Sequence, residues 1–315
     1  MAGIVGAGEH IYGIQLPIQT LTRRLRDPWE DRASVSDLVE IARHAEATGH
    51  GFIGVCDHVA IPDDDYARHM STTWYDTVAT LGFLAAHTER VRLLSVIYVA
   101  GYRHPLQTAS AFGTLGHLSG GRAILGVGAG HVKGEFEALG IPFAERGAIL
   151  DESLDALRGA FAADYVSFEG RRFSYRDMGV GPRPPSGELP IWIGGSGPAA
   201  WKRCGRVGDG YIPMANPLEQ FGEIRTTIQA SAEAHGRGDT RFDIGWMPPW
   251  MHVGTVPEDL PEVPLHGEPE GIAEVLRAGL AAGANVLHLK FRSRSKTEYL
   301  DQLSAFHEEV APLLR

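Results

Sequence analysis

The chain has 315 residues, 43% of them hydrophobic, with 39 Asp and Glu against 29 Lys and Arg and a net charge of −10. That composition describes a compact, enzyme-sized protein and offers no polycationic surface to a nucleic acid. No apolar run approaches the roughly 18 residues of a spanning helix, the start MAGIVGAGEHIYG lacks a signal-peptide pattern, and Cys56 and Cys204 fit neither a disulfide framework nor a metal motif. The expectation is a cytoplasmic protein with no membrane partner, no nucleic-acid partner and no metal.

Short apolar or β-branched runs recur in order at IYGIQLPI, GFIGVCDH, VRLLSVIYV, RAILGVGAG, LPIWIGG, DGYIPM, FDIGWMPPWMHVG and NVLHLKF, which gives eight candidate strands. After the first, SVSDLVEIARHAEATG places Leu38, Ile41, Ala42 and Ala45 on one helical face, with Ser36 as N-cap and Gly49 as terminator. Between the fourth and fifth strands, the Arg-, Gly- and Pro-rich stretch from Asp164 to Glu188 shows no amphipathic helix and reads as an insertion around residues 164–189 that borders substrate access. TVPEDLPEVPLHGEPE reads as a solvated acidic loop. The last helix, in GIAEVLRAGLAAGANVLHL, carries Ile272, Val275, Leu276 and Gly279 on its buried stripe and Gly283 at its end. Strands alternating with amphipathic helices predict a parallel sheet. Eight such units fit an α/β fold of the (β/α)8 TIM-barrel type, one domain over residues 1–315.

Barrel enzymes keep their reactive groups at the carboxyl ends of the strands, so polar residues there carry most weight. Asp57 and His58 follow the run GFIGV, and a His at that place suits proton transfer, although an Asp-His pair can also be purely structural. In GVGAGHVKGE the glycines allow close approach of a flat or anionic ligand and His131 and Glu135 add titratable groups, but the pattern is not a dinucleotide fingerprint and tight turn packing explains it equally. GGSGPAAWKRCG places Gly194, Gly195, Ser196 and Gly197 ahead of a helix beginning at Pro198, which suits a phosphate cradle or a plain turn. WMPPWMHVG offers Trp246, Trp250 and His252 to a pocket or to core packing. P-loop, H-E-x-x-H, G-x-S-x-G and C-x-x-C motifs are all missing. Proton donors without an evident nucleophile point to a phosphate-bearing organic cofactor that carries the hard chemistry.

VCDHVAIP, TERVRLLSVIYVAGYRHPLQTA, LSGGRAILGVGAGHVKGEFEALGIPFAERGAILDE and PIWIGGSGPAA together resemble the bacterial luciferase-like monooxygenase superfamily over nearly the whole chain. The Asp-His pair and GAGHVKGEFEALGIPF resemble most the branch that uses the deazaflavin coenzyme F420. The resemblance implies a deazaflavin or flavin lying across the carboxyl end of the barrel. It further implies a non-proline cis peptide after the third strand, here joining Val96 to Ile97 against the ring, with Asp57 and His58 near the reactive carbon. Ala129 and Gly130 would line the ring edge, and Gly194, Gly195, Ser196 and Gly197 would hold the phosphate. Glu135 falls where family members keep an acid. Sugar-phosphate dehydrogenases of the branch carry Glu where His131 stands, which argues against a sugar phosphate here. Hydride transfer between the deazaflavin C5 and a small organic substrate, with His58, Glu135 and His131 as the catalytic set, is the leading expectation, and a homodimer follows from the same resemblance. The competing readings are an FMN-dependent monooxygenase, a metal hydrolase built on Asp57, His58 and the Asp63-Asp64-Asp65 run, and a non-catalytic cofactor-binding protein.

Overall fold

A computed structural model describes residues 3–260 and 262–314. Its centre is a sheet of eight strands: β1 (Ile11–Gln15), β2 (Phe52–Val55), β3 (Arg92–Ser95), β4 (Ala123–Gly128), β5 (Ile191–Gly194), β6 (Gly210–Ile212), β7 (Asp243–Trp246) and β8 (Val286–Leu289). Each pairs in parallel with the next in chain order, and β8 returns to β1 with Ile11 opposite Val286. The sheet therefore closes, and its helices surround it: α1 (Val35–Ala47), α2 (Thr77–Ala85), α3 (Pro105–Leu118), α4 (Lys133–Ala138), α5 (Arg146–Gly159), α6 (Pro198–Val207), α7 (Phe221–Ala234), α8 (Pro269–Ala281) and α9 (Lys296–Ala305). This is the expected (β/α)8 barrel.

Four local expectations need correction. The N-cap of α1 is Ser34 and not Ser36, because Asp37 at the third helical position returns a carboxylate to the Ser34 amide at 2.7 Å and completes a capping box. On α8 the buried stripe takes Ala273 in place of Val275, which is 37% exposed. The run after residue 242 is not one strand: Pro248 and Pro249 cannot continue a ladder, so β7 stops at Trp246 and Met251–Val253 pairs separately with Leu265–Gly267. The acidic stretch therefore ends in ordered structure.

The insertion around residues 164–189 contains an antiparallel hairpin, Val166–Glu169 with Ser174–Met178. Glu152 of α5 accepts from the Arg172 and Phe173 amides at 2.9 and 2.7 Å, and the Phe173 ring meets His104 at the start of α3.

Side chains alternate between two cores, as strand geometry requires. Ile14, Ile53, Val55, Leu93, Leu125, Ile193, Leu287 and Leu289 pack outward against the helices, while Phe52, Leu94, Ile124, Trp192, Ile212 and Val286 fill the floor of the barrel. Above that floor the inward positions are largely glycine. A side chain at Gly54 would meet Val96, one at Gly128 or Gly194 would meet Ile97, and one at Gly126 would meet the Ser95 carbonyl. The peptide joining Val96 to Ile97 is cis, as the resemblance implies, and these two side chains occupy the space the glycines leave. The lumen is plugged, not open.

Replacing Gly126 by Ala should destabilise the fold by about 1–3 kcal/mol, since a backbone carbonyl cannot move aside as a side chain can. Gly82→Ala in α2, where nothing lies within 4 Å, should stabilise by about 0.5–1 kcal/mol. Equilibrium urea unfolding distinguishes the two. A second expectation concerns pH. Burial pushes the His50 and His288 imidazoles down to about 3 from an ordinary 6.5, so the unfolded state takes up protons first and their contribution to stability is lost as the pH falls from 6.5 toward 3. Glu30 acts in the opposite sense: burial raises its carboxyl to about 7, and its contribution fades as the pH rises from 4.5 to 7. Between about pH 5 and 6.5, His288→Phe should reduce the slope of stability against pH by about one proton relative to wild type. An unchanged slope would show that His288 is not held neutral.

Candidate active site

The carboxyl ends of the strands collect the polar groups. Asp57 and His58 leave β2 in opposite roles. The Asp57 carboxylate is buried and accepts from Arg103 twice, at 2.7 and 2.9 Å, from the Val99 amide at 2.8 Å and from Thr77 Oγ1 at 3.4 Å. It therefore ties the end of β2 to the segment just beyond Val96 and Ile97. The resemblance placed Asp57 beside a cofactor. In the structure its oxygens accept from protein donors, among them the Val99 amide and Arg103.

His58 is held by Glu135. This carboxylate, in the first turn of α4, is almost fully buried and gathers four donors: His58 Nδ1 at 2.9 Å, Tyr102 Oη at 2.6 Å, the Ala60 amide at 3.1 Å and the Val59 amide in a short contact. Burial opposes ionisation of Glu135, but the bonds from His58, Tyr102 and Val59 outweigh it and hold the carboxyl below its ordinary value. Burial, reinforced by Glu135, pushes the Tyr102 hydroxyl far up, so it stays a donor. An ionised carboxylate can only accept, so His58 Nδ1 carries the hydrogen of this bond. Trp74 lies against the ring with centroids 4.3 Å apart, and His131 stacks beside it at 5.8 Å with the planes 27° apart. His131 is exposed and does not bond to Glu135. Val99, Tyr102 and Phe136 form a small core beneath α4 that keeps Glu135 in place.

Ala129 and Gly130 follow β4. Gly130 has φ +78°, and a side chain there would strike Val99 and Phe136, so this close approach requires glycine. Gly194 ends β5 beneath Ile97, and Gly195, at φ +131°, starts the turn into α6. Tyr211 Oη lies 2.6 Å from the Gly195 carbonyl and Asn216 Nδ2 lies 3.1 Å from that of Ser196. With the carbonyls turned inward, the amides of Ser196, Gly197 and Ala199 have no acceptor among the described residues. Donors of this kind at a helix N-terminus suit a phosphate, so the cradle fits the anionic tail of such a cofactor.

Trp246 packs against Gly279 of α8, and His252 is buried with Nδ1 3.1 Å from the Arg292 carbonyl, so both serve the core. The Trp250 ring meets the Arg292 guanidinium at 3.7 Å and lies 5.3 Å from the Lys290 ammonium. Asp63, Asp64 and Asp65 are exposed, with Asp64 capping Ala67 and Asp65 paired to Arg68. Sequence reasoning missed Tyr102, Arg103 and Trp74, which reach the site from loops, and Lys290. The last was legible, as a polar residue directly after NVLHL at a strand end.

A closed parallel barrel with titratable groups and free amides gathered at its strand ends belongs to the class of barrel enzymes that bind an organic ligand in the mouth. The chain belongs to the luciferase-like monooxygenase family, whose model matches residues 14–260. An F420-dependent glucose-6-phosphate dehydrogenase of Kineococcus radiotolerans is 32% identical over 217 residues, 66% of this chain and 62% of the relative. A 5,10-methylenetetrahydromethanopterin reductase of Methanolobus tindarius is 32% identical over 210 residues, covering 67% and 60%. The matched part thus spans about three fifths of the length of these relatives. The structure of an F420-dependent secondary alcohol dehydrogenase in complex with an F420-acetone adduct superposes with a TM-score of 0.78 at 19% identity, covering 98% of this chain and 99% of the other. That last likeness concerns the fold.

Glu135→Ala would leave four donors without an acceptor and should cost roughly 3 kcal/mol or more in unfolding free energy. Nitrogen NMR of neutral His58 should show the Nδ1–H form in the wild type and its loss in Glu135→Gln. Finding the Nε2–H form in the wild type would contradict the assignment.

Proposed function

We propose that the chain is a coenzyme F420-dependent oxidoreductase that moves a hydride between the deazaflavin C5 and a small organic substrate. The observation that carries this reading is the His58–Glu135 pair at the carboxyl end of β2, in which Glu135 engages Nδ1 and Nε2 has no partner among the described residues. When bound, the deazaflavin supplies a two-electron hydride acceptor or donor. The plug and the close approach at Ala129 and Gly130 offer a flat, tightly bounded floor for the ring, and the Ser196, Gly197 and Ala199 amides would hold the phosphate of its tail.

In the oxidising direction His58 Nε2 takes the substrate proton as the hydride leaves carbon, and in the reducing direction it returns that proton. The negative charge on Glu135 stabilises the imidazolium formed in between, so Glu135 is a positioning residue and His58 the catalytic one. His131, stacked on His58, borders the approach of the substrate. Relatives named as F420-dependent favour the deazaflavin over FMN, which the same barrel would have to hold for a monooxygenase reaction. The proposal extends to a homodimer in the cytoplasm. It is supported by the family resemblance and by free Cys56 and Cys204, and among the described residues no helix is long and apolar enough to cross a membrane.

His58→Ala should lower turnover by about 10²–10⁴-fold while leaving the F420 dissociation constant within about threefold. Steady-state kinetics on any substrate that supports hydride exchange, with fluorescence titration of F420, provides the check. Undiminished turnover would remove His58 from the mechanism.

A further inference from the structure

His58 is nearly covered, with 10% of its side chain exposed, and its neighbours are rings. Trp74 lies 4.3 Å from the imidazole between centroids, His131 lies 5.8 Å from it with the planes 27° apart, and Tyr66 meets His131 edge-on at 6.1 Å. Trp74 is fixed, since its indole N–H donates to the Ser71 carbonyl at 2.7 Å and its backbone bridges to Thr20 beyond β1. Tyr66 rides on the loop after β2. Glu135 holds the start of that loop through the Val59 and Ala60 amides, and a side chain at Gly134 of α4 would strike Pro62 within it. Tyr66 and Val59 are 55% and 50% exposed. Apolar residues exposed singly are common, but here they accompany Trp74 around one histidine.

The charges nearby are one-sided. The segments that meet at His58 and Glu135, residues 57–76, 96–104 and 129–137, carry seven Asp and Glu against three Lys and Arg. Each of the three cations is already paired: Arg68 with Asp65, Arg103 with Asp57 and Lys133 with Glu137. Asp63, Asp64 and Asp65 stand exposed on the same loop as Tyr66. His58 Nε2 has no partner among the described residues, and a ligand atom that bonds it lies about 3 Å away, within reach of the Trp74 and His131 rings. The remainder of such a ligand meets rings and acids, with no free Lys or Arg of these segments to receive a negative charge.

We propose that Trp74, His131 and Tyr66 select an uncharged substrate whose reacting carbon is joined to a flat, conjugated ring. The proposal deepens the oxidoreductase reading above and rests on it for the reaction. A ring-bearing alcohol, or the carbonyl compound it becomes, makes offset or edge-on contacts with these side chains that a saturated ring of equal size forgoes. A carboxylate or phosphate in the same place is disfavoured by the surrounding acids. The three residues determine specificity, while His58 moves the proton.

Benzyl alcohol, cyclohexylmethanol and 4-(hydroxymethyl)benzoate share a hydroxymethyl group and differ in planarity and in charge. Each is titrated into the protein alone while the His58 ring resonances are followed by NMR. Benzyl alcohol should shift them saturably, with a dissociation constant about threefold or more below that of cyclohexylmethanol and about tenfold or more below that of the benzoate. Trp74→Leu and Tyr66→Leu should each bring the first ratio toward one and leave the second in place. Tyr66 is half exposed and its replacement spares the fold, so the test stands even where Trp74→Leu fails to fold. Equal constants for benzyl alcohol and cyclohexylmethanol, binding of the benzoate as tight as that of benzyl alcohol, no shift of His58 by any of the three, or a first ratio unchanged in Tyr66→Leu would each overturn the assignment. The titrations do not require F420, so their failure is separable from failure of the oxidoreductase reading, which shows as absence of cofactor binding.

Discussion

The constraint on which the rest depends is the fit of two side chains into a glycine-lined lumen. Gly54, Gly128 and Gly194 remove the side chains that would otherwise fill the upper barrel, and Val96 and Ile97 enter from the end of β3. The far side of this plug is anchored by Asp57, which holds Val99 and Arg103. A barrel interior must be close-packed to be stable. Filling it with a loop in place of strand side chains lets the upper surface be shaped for a ligand while the floor of Phe52, Leu94, Ile124 and Trp192 keeps the sheet closed.

The plug also divides the labour of the mouth. On one side the β5–α6 turn exposes main-chain donors without a lysine or arginine, because Tyr211 and Asn216 draw the opposing carbonyls away. On another, α4 delivers a single buried carboxylate that both seals the loop after β2 and sets the tautomer of His58. At the α6 turn the main-chain donors are left without an acceptor among the described residues. Such choices oppose stability and favour binding.

Much of this was legible in the sequence. Eight apolar runs alternating with helical patterns sufficed for a closed parallel barrel, and the glycine turn before Pro198 announced an unencumbered helix start. What escaped notice depended on contacts between distant segments. Asp57 and His58 look alike as a strand-end pair, and only the arrival of Arg103 from one loop and Glu135 from α4 gives the two side chains different partners. The cap of α1 was misjudged by two residues because Ser34 and Ser36 are both competent, and the choice falls to Asp37. Pro248 and Pro249, visible from the start, were strong enough to break a run that hydropathy alone joined. Lys290 was passed over although it met the criterion that selected His58.

The central claim is that a deazaflavin rests on the Val96–Ile97 plug with its phosphate on the α6 amides. Equilibrium titration of the purified protein with F420 and with FMN, followed by fluorescence, tests it most directly. The account expects saturable one-to-one binding of F420 at micromolar concentration and binding of FMN weaker by about tenfold or more. Tighter binding of FMN, or no binding of either cofactor at millimolar concentration, would contradict it.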